Sequence, residues 1–123
     1  MPHKVLIIDD SRSVRRSLVD LLSPSGYEVF EAEDGVQGAD TIERVPELSL
    51  VICDVNMPRM SGLEMLTKVK ADGKNAKLPI LMLTTEGRTD IIREAKQAGA
   101  CGWIVKPINP AHLLATIRKL IEP

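Results

Sequence analysis

Aromatic side chains are nearly missing from this sequence, which holds one Trp, one Tyr and one Phe in 123 residues. Three rings are too few to sandwich a flavin. Excess charge is missing as well: 16 Lys and Arg face 17 Asp and Glu, for a net charge of −1. There is no bulk attraction to nucleic acid or to an anionic membrane, so neither is expected as a partner, and any partner must be recognised locally. No apolar stretch approaches the roughly 20 residues that span a bilayer. The N-terminus has no signal-peptide pattern, because the first strand begins almost at once. A cytoplasmic location is the expectation. Only two cysteines occur. Cys53 and Cys101 fall in the third and fifth strand candidates, and a reducing compartment would leave both as small buried hydrophobes. A strand between them would set their Cα atoms roughly 9–10 Å apart, beyond the ~7 Å limit for a disulfide. The two histidines, His3 and His112, lack metal-ligand company. There is no internal repeat, low-complexity tract or linker, and the length suits one core, so residues 1–123 are expected to form a single domain.

What the sequence does have is a set of apolar runs that each end on a polar group. Leu50-Val51-Ile52-Cys53 leads into Asp54 and then into a proline-bounded loop. Lys4-Val5-Leu6-Ile7-Ile8 leads into Asp9 and Asp10, Pro79-Ile80-Leu81-Met82-Leu83 into Thr84 and Thr85, and Gly102-Trp103-Ile104-Val105 into Lys106. Such runs suit strands covered on both faces of a parallel sheet.

Between the runs the apolar period becomes helical. Either Asp10 or Ser11 can cap a first helix, in which Val14, Leu18, Leu21 and Leu22 turn inward and Arg12, Arg15, Arg16 and Asp20 stay wet. Arginines at that mouth suit either a phosphorylated partner or a plain solvated face. Residues 27–32 alternate like a strand nearer the sheet edge, and Asp34-Gly35 turns into a helix over about 36–45. The central strand at about 49–54 and its loop at 55–61 follow, with further helices predicted at about 62–71, about 89–98 and from Pro110 onward. Strict alternation of strand and helix implies right-handed crossovers and a three-layer α/β fold. For five parallel strands the flavodoxin-like order 2-1-3-4-5 is expected, with strands one and three adjacent at the switch point where ligands bind.

The chemistry of those strand ends is specific. Asp9, Asp10 and Asp54 in one crevice repel one another, and a hard divalent cation such as Mg²⁺ relieves that repulsion. Lys106 adds an ammonium able to bind a phosphoryl oxygen, and Thr84 adds a hydroxyl. Asp54, on the central strand, is the best nucleophile candidate.

Taken together, Asp9-Asp10, Asp54-Val55-Asn56-Met57-Pro58, Leu78 through Thr84 with Glu86, Gln97-Ala98-Gly99-Ala100 and Val105-Lys106-Pro107 resemble the receiver domains of two-component response regulators, most closely those that stand alone in chemotaxis. The family shares the 2-1-3-4-5 order, so the order and the resemblance are one expectation. The resemblance implies that Asp54 accepts a phosphoryl group from a histidine kinase. It implies that Asp10, Asp54 and the backbone carbonyl of Asn56 hold Mg²⁺, with Asp9 supporting the metal through water. Thr84 and Lys106 would bind the phosphoryl group, and Thr84 with Trp103 would form a switch that reshapes the face of helix four, strand five and helix five. Asn56 and Glu86 would tune hydrolysis, and the Lys106–Pro107 peptide would be cis.

The implied protein is a monomeric phosphoprotein of a two-component phosphorelay, without an output domain. It would catalyse only its own phosphorylation and dephosphorylation, and a chemotaxis target such as a flagellar motor switch is favoured. The alternative is another single-domain regulator or a phosphate sink. A haloacid-dehalogenase-type phosphatase needs a general acid two residues after its nucleophile, where this chain has Asn56. A flavin mononucleotide binder needs a Thr- and Gly-rich first loop, and a receiver that only docks does not need the intact acids, Thr84 and Lys106.

Overall fold

The computed structural model describes residues 2–57, 59–85 and 89–122. Five strands and five helices alternate: β1 (Lys4–Ile8), α1 (Arg12–Leu22), β2 (Glu28–Ala32), α2 (Gly35–Arg44), β3 (Leu48–Asp54), α3 (Gly62–Ala71), β4 (Ile80–Thr85), α4 (Thr89–Gln97), β5 (Gly102–Lys106) and α5 (Pro110–Ile121). All neighbouring strands pair in parallel, in the order β2-β1-β3-β4-β5. This is the three-layer, flavodoxin-like arrangement expected from the alternating pattern, with β1 and β3 adjacent.

Helix starts follow local chemistry. The Ser11 side chain accepts from the Val14 amide and caps α1, which decides between Asp10 and Ser11. Asp34 caps α2 through the Gln37 amide, Ser61 and Glu64 form a capping box on α3, and Asn109 caps α5. Gly99, at φ 107°, stops the chain after α4 in the left-handed region.

Each central strand feeds two cores. Val5, Ile7, Leu50, Ile52, Leu81 and Leu83 pack with Leu18 and Leu22 of α1 and Leu113 and Ile117 of α5. Leu6, Ile8, Val51, Cys53, Ile80 and Met82 pack on the other face with Ala39 and Ile42 of α2, Met65, Leu66 and Val69 of α3, and Ala95 of α4. Successive strand residues point to opposite faces, and both faces are covered, so both parities are apolar.

The structure corrects several details. β4 extends through Thr85 and β5 includes Lys106, because the ladder continues with Thr84 opposite Val105 and Thr85 opposite Lys106. Cys53 is buried, whereas Cys101 precedes β5 and is exposed, so only one of the two is a core hydrophobe. β4 lies between their positions in the sheet. Arg15 is not wet: its side chain is 13% exposed and lies against Glu31. No helix among the described residues is long and apolar enough to cross a membrane.

Candidate functional site

Asp9 leaves β1 fully buried and bound at every edge. Its amide donates to the Ala32 carbonyl at 3.1 Å, and its Oδ1 accepts from the Ser11 amide at 2.9 Å. Its own carbonyl accepts from Arg15 Nη1 at 2.6 Å, and Arg15 Nε reaches Glu31 at 3.2 Å. The remaining oxygen, Oδ2, accepts from Lys106 Nζ at 3.1 Å. That ammonium also donates to Asp54 Oδ1 at 3.3 Å. Asp54 ends β3 and is 6% exposed, while Asp10 is exposed at the rim. One carboxylate oxygen from each of Asp9, Asp10 and Asp54 can be chosen so that the three lie within 4.8 Å of one another. Lys106 and Asp9 are 97 residues apart in sequence. The parallel crossovers bring them together by returning every strand in the same direction, which stacks their carboxyl ends on one edge.

The electrostatics follow from that crowding. Burial, and then the Asp9 carboxylate, push the Asp54 carboxyl above its ordinary range, and Lys106 offsets only part of this. Burial pulls the Lys106 ammonium down, but Asp54 and Asp9 together outweigh it and hold the group above its usual value. Three carboxylates and one ammonium leave two negative charges, which one divalent cation would neutralise. The donors are hard oxygens, partly buried and partly open to water, as Mg²⁺ requires. The residues therefore fit that ion.

Around this centre, Thr84 is 3% exposed and its hydroxyl donates to the Thr85 carbonyl at 3.0 Å. Trp103 lies opposite Met82 on the edge strand β5 and is 40% exposed, so its ring stands outward. Asn56 is exposed just beyond β3, where the preceding Val55 amide donates to the Leu83 carbonyl at 3.0 Å. The Lys106–Pro107 peptide is cis, as the resemblance implies. Glu86 and Pro58 lie outside the described residues.

Two further elements of the site were not anticipated from sequence. Arg15 buttresses the backbone of Asp9, yet nothing in the sequence separates it from Arg12 and Arg16, which stay exposed. Asp34, 4% exposed, is gripped by Arg59 from the loop after β3. The signal for Asp34 was its position before Gly35 at a helix start, which reads as a cap and not as an ion pair.

The sequence model described as the response regulator receiver domain matches residues 5–118. Chemotaxis protein CheY1 of Helicobacter pylori strain J99 is 42% identical over 111 residues, covering 89% of this chain and 90% of that protein. A chemotaxis protein CheY homolog of Campylobacter jejuni is 41% identical over 111 residues, covering 89% and 85%. Among solved structures, chemotaxis response regulator CheY4 of Vibrio cholerae superposes with a TM-score of 0.91 at 40% identity, covering 98% of this chain and 99% of that one.

Proposed function

Because the chain belongs to the response regulator receiver domain family, we propose that it is a stand-alone response regulator that accepts a phosphoryl group from a histidine kinase on Asp54. The observation that carries this proposal is the gathering of Asp9, Asp10 and Asp54 within 4.8 Å, with Lys106 bonded to two of them. Asp10, Asp54 and the Asn56 carbonyl would hold Mg²⁺, with Asp9 supporting it through water. When bound, Mg²⁺ supplies the positive charge that lets a phosphoryl anion approach three acids.

In the proposed transfer an Asp54 carboxylate oxygen attacks the phosphorus of a phosphohistidine. The P–O bond forms, the P–N bond breaks, and the imidazole leaves with the electron pair. Desolvation favours the attack, since an oxygen stripped of water is a stronger base. Lys106 already shares its ammonium between Asp9 and Asp54, so a small shift of Nζ brings it to a phosphoryl oxygen. Thr84 gives up its bond to the Thr85 carbonyl and donates to the phosphoryl group. The space it vacates admits part of the Trp103 ring and reshapes the face of α4, β5 and α5. Water later attacks the phosphorus, the P–O bond to Asp54 breaks and inorganic phosphate leaves; by the resemblance, Asn56 and Glu86 would tune this step.

The similarity to CheY proteins makes a chemotaxis target, with a flagellar motor switch first among them, the favoured output of this face. In this proposal residues 1–123 act as one receiver domain, a cytoplasmic monomer that catalyses only its own phosphorylation and dephosphorylation. Mass spectrometry of the intact protein after acetyl phosphate and MgCl₂ tests the proposal. One phosphoryl group is expected on the wild type, with none on Asp54→Asn and none in EDTA. Label that persists on Asp54→Asn refutes it.

A further inference from the structure

The loop from β3 to α3 carries the Asn56 carbonyl, and the fastenings seen among the described residues lie away from Asn56 itself. At its ends, the Val55 amide donates to the Leu83 carbonyl and the Gly62 amide donates to the Val55 carbonyl at 2.8 Å. In its middle, Arg59 reaches across to Asp34, the cap of α2. Arg59 Nε and Nη2 both donate to Asp34 Oδ2, at 2.8 and 2.5 Å. Asp34 Oδ1 accepts from the Gln37 amide at 2.8 Å, so the carboxylate is locked in the cap while it holds the arginine.

Three facts show that this contact is bought at a cost and is not a chance surface pair. Arg59 sits at φ 63°, in the left-handed region that glycine and asparagine adopt far more readily. Asp34 is a buried carboxylate, and such a group needs its partners placed. The loop also lies directly on α2, since a Cβ on Gly35 would come 2.6 Å from the Met60 carbonyl oxygen. Yet the Arg59 side chain is 61% exposed, and an ion pair with one partner so open adds little to overall stability. The arrangement therefore secures a position more than it stabilises the fold.

We propose that the Asp34–Arg59 clasp is a positioning device for the metal: it fastens the loop after β3 to the cap of α2 and so keeps the Asn56 carbonyl at the mouth of the acidic pocket. This rests on the Mg²⁺ assignment made above. Arg59 and Asp34 are positioning residues, acting through the loop and not by touching the ion.

A residue-resolved amide NMR titration with MgCl₂, on the wild type, Arg59→Gly and Arg59→Lys, tests it, alongside amide exchange and Tm of the metal-free proteins. Arg59→Gly deletes the clasp but suits the left-handed backbone, and Asp34 keeps the Gln37 amide, so the metal-free protein should stay folded with its Tm lowered by no more than roughly 5 °C. Its Mg²⁺ dissociation constant should rise about tenfold, the effect typical of losing a group that orients a ligand. Amides at 55–57 should exchange faster before metal is added. Arg59→Lys keeps the charge without the fork and should recover only part of the affinity. Wild-type Mg²⁺ affinity in Arg59→Gly overturns the clasp alone. A wild type that does not bind Mg²⁺ overturns the assignment beneath it and the clasp with it.

Discussion

Replacing Asp54 with asparagine should stabilise the metal-free protein, although it removes one partner of an ion pair. Asp54 faces Asp9 and Asp10 within 4.8 Å and Lys106 Nζ at 3.3 Å. At an effective dielectric of about 20, the Asp9 pair at the outer limit of that distance costs ~3.5 kcal/mol and the lysine returns ~5 kcal/mol, while the exposed Asp10 is screened by water and adds the least. Repulsion and attraction therefore come close to offsetting, and desolvation of the carboxylate, the largest cause of its raised pKa, tips the balance against the charged form. Asparagine keeps the shape and removes the charge. The expected gain is on the order of 1 kcal/mol, or roughly 3–6 °C in Tm for a chain of this size.

The pH dependence has a definite sign. The folded state raises the Asp54 carboxyl above its ordinary value of 3.8, so the native protein holds that proton more tightly than the unfolded chain. Stability from this group is present below 3.8 and is lost as pH climbs through the raised folded value. The advantage of Asp54→Asn should therefore be small near pH 4, by this linkage, and largest above the folded value. Metal reverses the order. At MgCl₂ about 100 times its dissociation constant the wild type should gain about 2.7 kcal/mol, and the variant, short of one proposed ligand, should gain less. Calorimetric melts from pH 4 to 8, with EDTA or MgCl₂, give the measurement. A metal-free Asp54→Asn that melts below the wild type at pH 7 would show that the lysine pair outweighs repulsion and desolvation together, and the charge argument would fail.

Gly62→Ala should be among the most damaging small substitutions, because a Cβ there would strike the Asp54 carbonyl oxygen and stand 3.0 Å from Met82 Cε. The backbone must move at Asp54, the proposed acceptor, so urea unfolding should report a loss of ~2 kcal/mol or more, and an unchanged midpoint would refute the close approach. Trp103, the single tryptophan and 40% exposed, should become less accessible to acrylamide when beryllofluoride and MgCl₂ are added. Thr84→Ala should keep Mg²⁺ binding and blunt that change; a full response in Thr84→Ala would sever the link between hydroxyl and ring.

The elements and their order were legible because strand ends and helix caps are local signals. An apolar run that stops on Asp54 or on Asp9 marks both a buried strand and the carboxyl end where ligands gather. Asp34-Gly35, Gly99 and Pro110 mark helix boundaries by backbone chemistry alone, whereas the capping box of Ser61 and Glu64 was seen only in the structure. The acids, Thr84 and Lys106 could thus be assigned to one rim before any distance was known.

Tertiary structure alone decided what each group faces. Val5 and Leu6 look alike in sequence, and only the crossovers send Val5 toward α1 and α5 and Leu6 toward α2 and α3. Arg15 lies on the same helix as Arg12 and Arg16, and it is half-buried because Glu31 and the Asp9 carbonyl lie in front of it. Cys101 follows the same apolar logic as Cys53, yet it falls before β5 begins and stays exposed. The grip of Arg59 on Asp34 spans 25 residues, and that of Lys106 on Asp9 spans 97. Sequence periodicity reports which residues leave water. The partner met by a charge depends on how the sheet is wound, because only the folded backbone brings such distant side chains within a hydrogen bond of each other.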